Sequence, residues 1–169
     1  MAEKGNYMDK NIKNVDNISE EHPKAGIIYT PATKMAMKIC YEAHKNQVDK
    51  NGISYIFHPV HLAEQMTAED EICVALLHDV VEDSNYTLED LKTAGFNGSI
   101  LAALRLLTHD DNVPYMDYIA TIKTNPLATK IKLADLSHNS DLNRLDKVTE
   151  KDLKRVEKYK KAREILVGE

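Results

Sequence analysis

Apolar residues recur at helical spacing in one segment after another along most of this chain. Between Ala36 and Ala43 they fall at i, i+3, i+4 and i+7, and a similar stripe runs from residue 153 to residue 166. The alternation that is typical of a half-buried strand has one candidate, the isolated stretch ISYIF at 53–57. Such a chain buries its apolar residues by packing helices on one another, so we expect an all-α domain, a compact bundle of roughly eight helices.

Capping residues, prolines and glycines indicate where the predicted helices begin and end. The first helix begins at Thr30-Pro31, and Asn51-Gly52 marks a turn after it. The others are expected at 58–63, 69–83, 87–95, 99–107, 115–123, 125–139 and 149–166. The helix at 69–83 is apolar nearly all round from residue 72 to residue 77, which predicts that it is largely buried.

The length of 169 residues suits one domain. Residues 1–26 are polar, and we expect them to form an arm or one short helix, with the helical domain at 27–169. Neither a signal peptide nor an apolar run long enough to span a membrane is recognisable, so we expect a cytoplasmic protein without a membrane partner. Cys40 and Cys73 lie among apolar helix formers and are predicted to be reduced core residues.

The charge balance restricts the kinds of partner. Twenty-two Lys and Arg against 27 Asp and Glu leave a net charge of −5, which argues against a nucleic-acid-binding domain but not against a small anionic substrate held by a few cations. The sequence contains no glycine-rich phosphate loop and no GxSxG nucleophile motif. The oligomeric state has no signal in the sequence.

The stretch LLHDVVED at 76–83 places one histidine and three carboxylates on the predicted buried helix. At helical spacing, His78 shares a face with Glu82, and Asp79 shares the adjacent face with Asp83. A buried carboxylate must be protonated, paired or metal-bound, because its desolvation is otherwise too costly. Histidine combined with carboxylates suits a divalent ion such as manganese, magnesium, zinc or iron(II). We therefore predict a metal site here, completed by residues from other helices.

Several other segments offer candidate ligands. Asp135 lies in the apolar helix segment KLADLSHN, and Asn139 shares its face one turn later. His58 and His61 lie at the start of the second predicted helix, and His44 lies near the end of the first. The residues by themselves leave the choice among these three histidines open.

Four stretches, taken in order, resemble the HD superfamily of metal-dependent phosphohydrolases. More closely, they resemble the hydrolase domain of RelA/SpoT-type alarmone enzymes and the small stand-alone alarmone hydrolases. The stretches are AHKNQVDKNGISYIFHPV at 43–60, ALLHDVVEDSNYTLEDL at 75–91, LLTHDD at 106–111 and IKLADLSHN at 131–139. The resemblance covers about residues 32–166. It implies an all-helical fold and hydrolysis of the 3′-pyrophosphate of guanosine 3′,5′-bis(diphosphate).

The resemblance also implies roles for individual residues. It implies one manganese ion held by His58, His78, Asp79 and Asp135, and it leaves supporting roles to His44 and His61. Glu82 and Asp83 match the paired carboxylates that the family uses to handle the attacking water.

Four further residues match substrate contacts of the family. Asn139 matches its nucleotide-binding asparagine, and Lys50 matches a phosphate contact. Arg155 and Tyr159, in RVEKY, match the substrate contacts that small alarmone hydrolases make from their last helix.

The sequence departs from the family near the expected base-binding position. Asp49 stands where the family has an arginine that packs on the guanine base, and a carboxylate can neither stack in that way nor attract phosphate. Ile53-Ser54 replaces a common Glu-Pro, and Leu136 replaces an arginine that often follows the metal-binding aspartate. Alternative substrates therefore include the 2′-phosphate of NADPH and a nucleoside monophosphate, and a further alternative is a non-catalytic nucleotide sensor.

Overall fold

The computed structural model describes residues 26–168 and shows an all-helical protein over that range. The α-helices are, in chain order, α1 (Pro31–His44), α2 (Phe57–Ala63), α3 (Glu69–Leu77), α4 (Val80–Asp83), α5 (Leu88–Thr93), α6 (Gly98–Leu107), α7 (Tyr115–Ile122), α8 (Pro126–Ser140) and α9 (Glu150–Val167), with a short 3-10 helix at Leu142–Arg144 before α9. Between residues 26 and 168 the only strand-type pairing is an isolated bridge from Val48 to Ser54. The predicted all-α fold is confirmed, whereas the arm predicted at 1–26 lies, except for Gly26, outside the described residues.

The predicted helix starts depend on side chains that bond to free backbone N–H groups. Thr30, Thr87 and Thr149 each form a capping box with the residue three positions later, and these boxes open α1, α5 and α9. Gly95, the last residue of the helix predicted at 87–95, adopts a positive φ of 97° two residues after α5 ends at Thr93. These boundaries were readable from the sequence because both bonding partners lie within one helical turn.

The prediction of one continuous helix at 69–83 is wrong, because α3 ends at Leu77 and α4 begins at Val80. The His78 ring nitrogen Nδ1 lies 2.8 Å from the Ala75 carbonyl oxygen, which the Asp79 N–H would bond in an unbroken helix. Asp79 lies at φ −100° and ψ −4°, in the sparsely populated region between helix and strand. The interruption therefore occurs at the two residues that carry the predicted metal ligands.

The core is built around α3, whose residues from Ile72 to Leu77 are all at most 1% exposed. This helix packs against α1, α2, α6 and α8, and α9 closes the domain by packing on α7 and α8. The packing brings the end of α3 next to α2 and α8, the helices that carry His58 and Asp135. The site is thus assembled at the junction of three helices.

Cys40 and Cys73 are fully buried and unpaired, as predicted. Burial raises the pKa of each thiol to about 12, so both stay protonated and behave as small apolar residues. Within residues 26–168, no helix combines the length and the apolar character needed to cross a membrane.

Candidate functional site

The fold brings all four predicted metal ligands together. His58 comes from α2, His78 and Asp79 from the α3–α4 junction, and Asp135 from α8. Nε2 of His58 lies 3.3 Å from Oδ1 of Asp135 and 3.8 Å from Oδ2 of Asp79, and Nε2 of His78 lies 3.0 Å from that same Asp79 oxygen. Ligand atoms of His58, His78 and Asp135 all lie within 4.8 Å of one another.

The two histidines are oriented as ligands. The Nε2 atoms of both are buried and form no well-aligned hydrogen bond, and each faces carboxylate oxygens at 3.0 to 3.8 Å. Nδ1 of His78 donates to the Ala75 carbonyl, so Nε2 is the ring nitrogen that faces the cluster. Nδ1 of His58 lies 2.6 Å from Nδ1 of His138, an interaction that leaves Nε2 of His58 facing the cluster. Two imidazole nitrogens and two carboxylates at one point fit a divalent metal ion.

The charges in the cluster also favour a cation. Burial alone would lower the pKa of His78, but the Asp79 and Asp135 carboxylates raise it to about 9. Burial raises the pKa of Asp79, and the adjacent His78 offsets this and brings it to about 2. For Asp135 burial has the same effect, while Lys132 and His58 hold its pKa well below the usual range. Two ionised carboxylates therefore face the histidines, and they would stabilise a bound metal ion.

Two residues that the sequence did not single out hold these carboxylates in place. The Tyr55 hydroxyl donates to Oδ2 of Asp79. Lys132 Nζ lies 2.9 Å from Oδ2 of Asp135, and the Lys132 side chain is only 14% exposed. Lys132 could have been recognised, because it precedes Asp135 by three residues on α8, whereas Tyr55 is 24 residues from Asp79 and had no local signal.

Three further histidines, His44, His61 and His138, lie near the cluster. The His138 ring stacks on both His58 and His61, with ring centroids 4.9 and 4.3 Å apart. Burial, together with nearby Arg144, lowers the pKa of His138 to about 4, so a neutral ring faces His58. His44 is fully buried, and its Nδ1 lies 2.7 Å from Oε1 of Gln47. The supporting roles implied for His44 and His61 are compatible with these positions but remain predictions.

Glu82 and Asp83 lie one turn beyond Asp79, on the exposed side of α4. Oε2 of Glu82 accepts a hydrogen bond of 3.0 Å from the backbone N–H of His109. Burial, reinforced by the Asp79 and Glu82 charges, raises the pKa of Asp83. A carboxylate with a raised pKa, next to a candidate metal site and open to solvent, is suited to accept or donate a proton.

All four predicted substrate residues line one cavity of about 450 Å³, which we call cavity A. They are Lys50, Asn139, Arg155 and Tyr159, and the cavity reaches the metal cluster at His58. Asn139 also donates a hydrogen bond of 2.6 Å to Oδ1 of Asp135. The structure therefore brings these residues together beside the metal cluster, although their roles as substrate contacts stay predictions.

Asp152, which was not predicted, links two of these residues. Lys50 Nζ and Arg155 Nη1 each lie 2.9 Å from the same Asp152 oxygen, Oδ1. The other oxygen, Oδ2, accepts from the backbone N–H and the hydroxyl of Thr149 at the start of α9. Asp152 is 4% exposed, and these contacts together lower its pKa. Lys50 is 102 residues from Asp152, so periodicity could not have revealed the pair.

Asp49, the main departure from the family pattern, belongs to a tight turn. Its Oδ1 accepts from the backbone N–H groups of Asn51 and Ile53, at 2.9 and 3.0 Å. Its Oδ2 lies 3.6 Å from Nη2 of Arg144, a residue that the sequence did not indicate. Both residues line cavity A, and both also line a neighbouring cavity B of about 550 Å³.

The comparisons with known proteins agree with this arrangement. The chain is 34% identical over 117 residues to a guanosine-3′,5′-bis(diphosphate) 3′-pyrophosphohydrolase of Danio rerio, covering 61% of this chain and 64% of that protein. It is 32% identical over 120 residues to the enzyme of the same name from Mus musculus, covering 62% and 66% of the two proteins. The chain spans less than two thirds of the length of these curated relatives. No protein-family model matches the sequence.

The fold also matches a solved structure. A protein described as a metazoan orthologue of SpoT that hydrolyses ppGpp superimposes with a TM-score of 0.64 at 23% identity, covering 85% of this chain and 87% of that one. Because the match spans nearly the whole helical domain, it supports the arrangement of helices that brings the histidine and aspartate side chains together. The chain is therefore similar in sequence to guanosine-3′,5′-bis(diphosphate) 3′-pyrophosphohydrolases over its helical part, and it shares the fold of the metazoan SpoT orthologue.

Proposed function

We propose that this protein is a metal-dependent phosphohydrolase that removes the 3′-pyrophosphate of guanosine 3′,5′-bis(diphosphate). The observation that carries the proposal is the pair of buried Nε2 atoms of His58 and His78, which converge on the ionised carboxylates of Asp79 and Asp135 where His58 lines cavity A. The relatives named as 3′-pyrophosphohydrolases support the choice of reaction and substrate.

The proposed metal ligands are His58, His78, Asp79 and Asp135, and the proposed ion is Mn²⁺. When bound, such an ion supplies Lewis acidity toward a phosphoryl oxygen and toward water. Hard carboxylate oxygens combined with imidazole nitrogens suit manganese, and the resemblance to the HD phosphohydrolases also implies a manganese ion. Tyr55 and Lys132 orient the two carboxylates through the contacts described above.

Glu82 and Asp83 are proposed to handle protons in the reaction. Water adds to the phosphorus attached to O3′, the P–O3′ bond breaks, and O3′ leaves with a proton as pyrophosphate is released. One of the two carboxylates orients the water and takes up its proton, and the pair supplies the proton for the leaving oxygen. Asn139 and Tyr159 contact the nucleotide, while Lys50 and Arg155 neutralise phosphate charge from the wall of cavity A.

A substrate panel tests this proposal. Purified protein with Mn²⁺ should release pyrophosphate, not phosphate, from guanosine 3′,5′-bis(diphosphate). The panel should also contain NADPH and nucleoside monophosphates, with each metal assayed separately and the two products measured separately. Turnover of another nucleotide without turnover of the alarmone would contradict the proposed substrate but not the proposed chemistry.

A second candidate is an HD-type nucleotide phosphatase that acts on a different substrate. The observation that favours it is Asp49, a carboxylate at the wall of cavity A where the resemblance implies a base-stacking arginine. A protein that only senses nucleotides would instead bind a member of the same panel tightly and turn over none with any metal.

Asp152 provides a test of the phosphate contacts. Lys50 and Arg155 contact the same oxygen of Asp152, and the negative charge of that oxygen offsets the repulsion between the two cations. In Asp152→Asn the two cations repel each other and lose their fixed positions, and we expect KM for the phosphorylated substrate to rise about three- to tenfold with little change in kcat. Steady-state kinetics measure KM and kcat, and a thermal melt measures the accompanying change in Tm.

Asp90→Asn is the matched control for this prediction. Oδ2 of Asp90 accepts from the backbone N–H and hydroxyl of Thr87, in the same capping box that joins Asp152 to Thr149, but Asp90 lies on the exposed side of α5. Both variants should lower Tm, while only Asp152→Asn should raise KM. Equal KM values in the two variants would show that Asp152 serves only as a helix cap.

A further inference from the structure

Arg144 lies at a position where its guanidinium is held at two points. Nη1 donates a hydrogen bond of 3.1 Å to the His138 carbonyl, and Nη2 lies 3.6 Å from Oδ2 of Asp49. The Arg144 backbone is tied as well, because Nδ2 of Asn51 donates to its carbonyl oxygen at 2.5 Å. The side chain is 30% exposed, so part of this fixed group faces the space beside it.

The contacts of Arg144 with His138 and Asp49 involve nitrogens at the edge of the guanidinium. Neither contact covers a flat face of the group. Hydrogen bonds to a guanidinium lie in its plane, whereas the faces are apolar and stack well on flat aromatic rings. Arg144 lines cavity A, and Tyr55, Tyr159 and Leu145 add aromatic and aliphatic side chains to the lining of the same cavity. The cations proposed to bind phosphate, Lys50 and Arg155, also line cavity A, but they are paired with Asp152 and not with Asp49.

Asp49 makes the arrangement specific to this chain. Oδ1 of Asp49 accepts from the backbone N–H groups of Asn51 and Ile53, and this holds the carboxylate in one orientation. In that orientation Oδ2 faces Arg144. A carboxylate here cannot stack on a base, but it can hold a neighbouring guanidinium that does.

We propose that Arg144, positioned by Asp49, is the platform on which the base of the nucleotide substrate stacks. It would take over the role of the arginine that the resemblance implies where this chain has Asp49. This inference rests on the proposed nucleotide phosphohydrolase function and adds a specificity-determining residue to it. Arg144 recognises the ring of the base and does not bind the phosphates, which are held by Lys50 and Arg155.

The test compares two ligands that share a ribose and a 5′-phosphate and differ in the base: guanosine 5′-monophosphate and ribose 5-phosphate. Their affinities are measured by isothermal titration calorimetry in metal-free buffer, where neither is hydrolysed. The wild-type protein should bind guanosine monophosphate more tightly. In Arg144→Ala this preference should fall about five- to tenfold, as expected for the loss of one stacking contact, while the affinity for ribose 5-phosphate stays the same.

Three further variants sharpen the result. Arg144→Lys keeps the charge and loses the plane, so it should lose the preference as Arg144→Ala does. Asp49→Asn keeps the turn acceptor and loses the charge, so it should lose part of the preference. Arg163→Ala removes an exposed arginine that also donates to a backbone carbonyl, that of Leu133, and it should behave like the wild type.

The outcomes separate this inference from the proposed function. An unchanged preference in Arg144→Ala, or an equal loss of affinity for both ligands, would overturn the platform. Full preference in Arg144→Lys would also overturn it, because charge alone would then be sufficient. If the preference for guanosine monophosphate depends on Arg144 but the alarmone is not hydrolysed, the platform stands and the proposed function fails. If the alarmone is hydrolysed but the preference is unchanged in Arg144→Ala, the proposed function stands and the platform fails.

Discussion

Replacing Asp79 by alanine is expected to lower alarmone hydrolysis by at least about a thousandfold, because a bound metal ion supplies several kcal/mol of transition-state stabilisation. Oδ2 of Asp79 is the atom shared by the cluster: it lies 3.0 Å from Nε2 of His78 and 3.8 Å from Nε2 of His58, and it accepts from the Tyr55 hydroxyl. Without it the proposed metal site loses one of its two negative charges. Initial rates of pyrophosphate release at saturating Mn²⁺ measure the effect.

The same variant has a readout that does not depend on activity. Added Mn²⁺ at about one hundred times its Kd should stabilise the folded wild type by about 2.7 kcal/mol, which corresponds to a rise in Tm of about 5–10 °C for a chain of this size. Asp79→Ala should lose most of that rise. Asp117→Ala, which removes an exposed aspartate of α7, should keep both the activity and the rise in Tm. Turnover or an undiminished shift in Asp79→Ala would contradict the metal assignment.

Replacing Glu82 by glutamine, or Asp83 by asparagine, should lower kcat by about a hundred- to ten-thousandfold, the usual contribution of a positioned general acid or base. Both substitutions keep the shape of the side chain. Glutamine at position 82 can still accept the hydrogen bond from the backbone N–H of His109. The Mn²⁺-dependent rise in Tm should persist in both variants, and this distinguishes the loss of proton transfer from the loss of metal.

Glu89→Gln serves as the control, because Glu89 is an exposed glutamate of α5 whose side chain forms an ion pair with the neighbouring Lys92. Its kcat should match the wild type. If Glu82→Gln and Asp83→Asn both retain wild-type kcat, neither carboxylate handles the water and the roles proposed for them are wrong.

The pH dependence of kcat gives a finer test of Asp83. Burial, together with the Asp79 and Glu82 charges, raises the pKa of Asp83. A proton acceptor must be ionised, so activity should fall as the pH decreases through that raised pKa, and the fall should begin at a higher pH than for an ordinary aspartate. Glu82→Gln removes one of the charges that raise the pKa of Asp83, so in this variant the acidic limb should move to lower pH.

Local spacing was sufficient to predict most of the helices. Thr30, Thr87 and Thr149 bond to residues three positions away, so the starts of α1, α5 and α9 could be read from neighbouring letters. The interruption between α3 and α4 could not, because it involves the side chain of His78 at the carbonyl of Ala75. Apolar periodicity describes which face is buried and contains no information about such a bond.

The candidate site shows the same division. LLHDVVED predicts a metal site from its own residues, since a buried carboxylate must be protonated, paired or metal-bound. Arg144, the proposed base-stacking residue, had no such signal. It is 95 residues from Asp49 along the chain, and a single arginine in a polar segment has many ordinary explanations.

Helical class, most helix starts and the prediction of a metal site thus follow from short-range order, because backbone hydrogen bonds and helix faces repeat every three or four residues. The partners of each charge follow from packing. α3 lies against both α2 and α8, and that contact alone brings His58 and Asp135 to His78 and Asp79. Long-range contacts likewise join Lys50 to Asp152 and Asp49 to Arg144, because the burial of apolar helix faces, and not any property of the charged residues, decides which helices are neighbours.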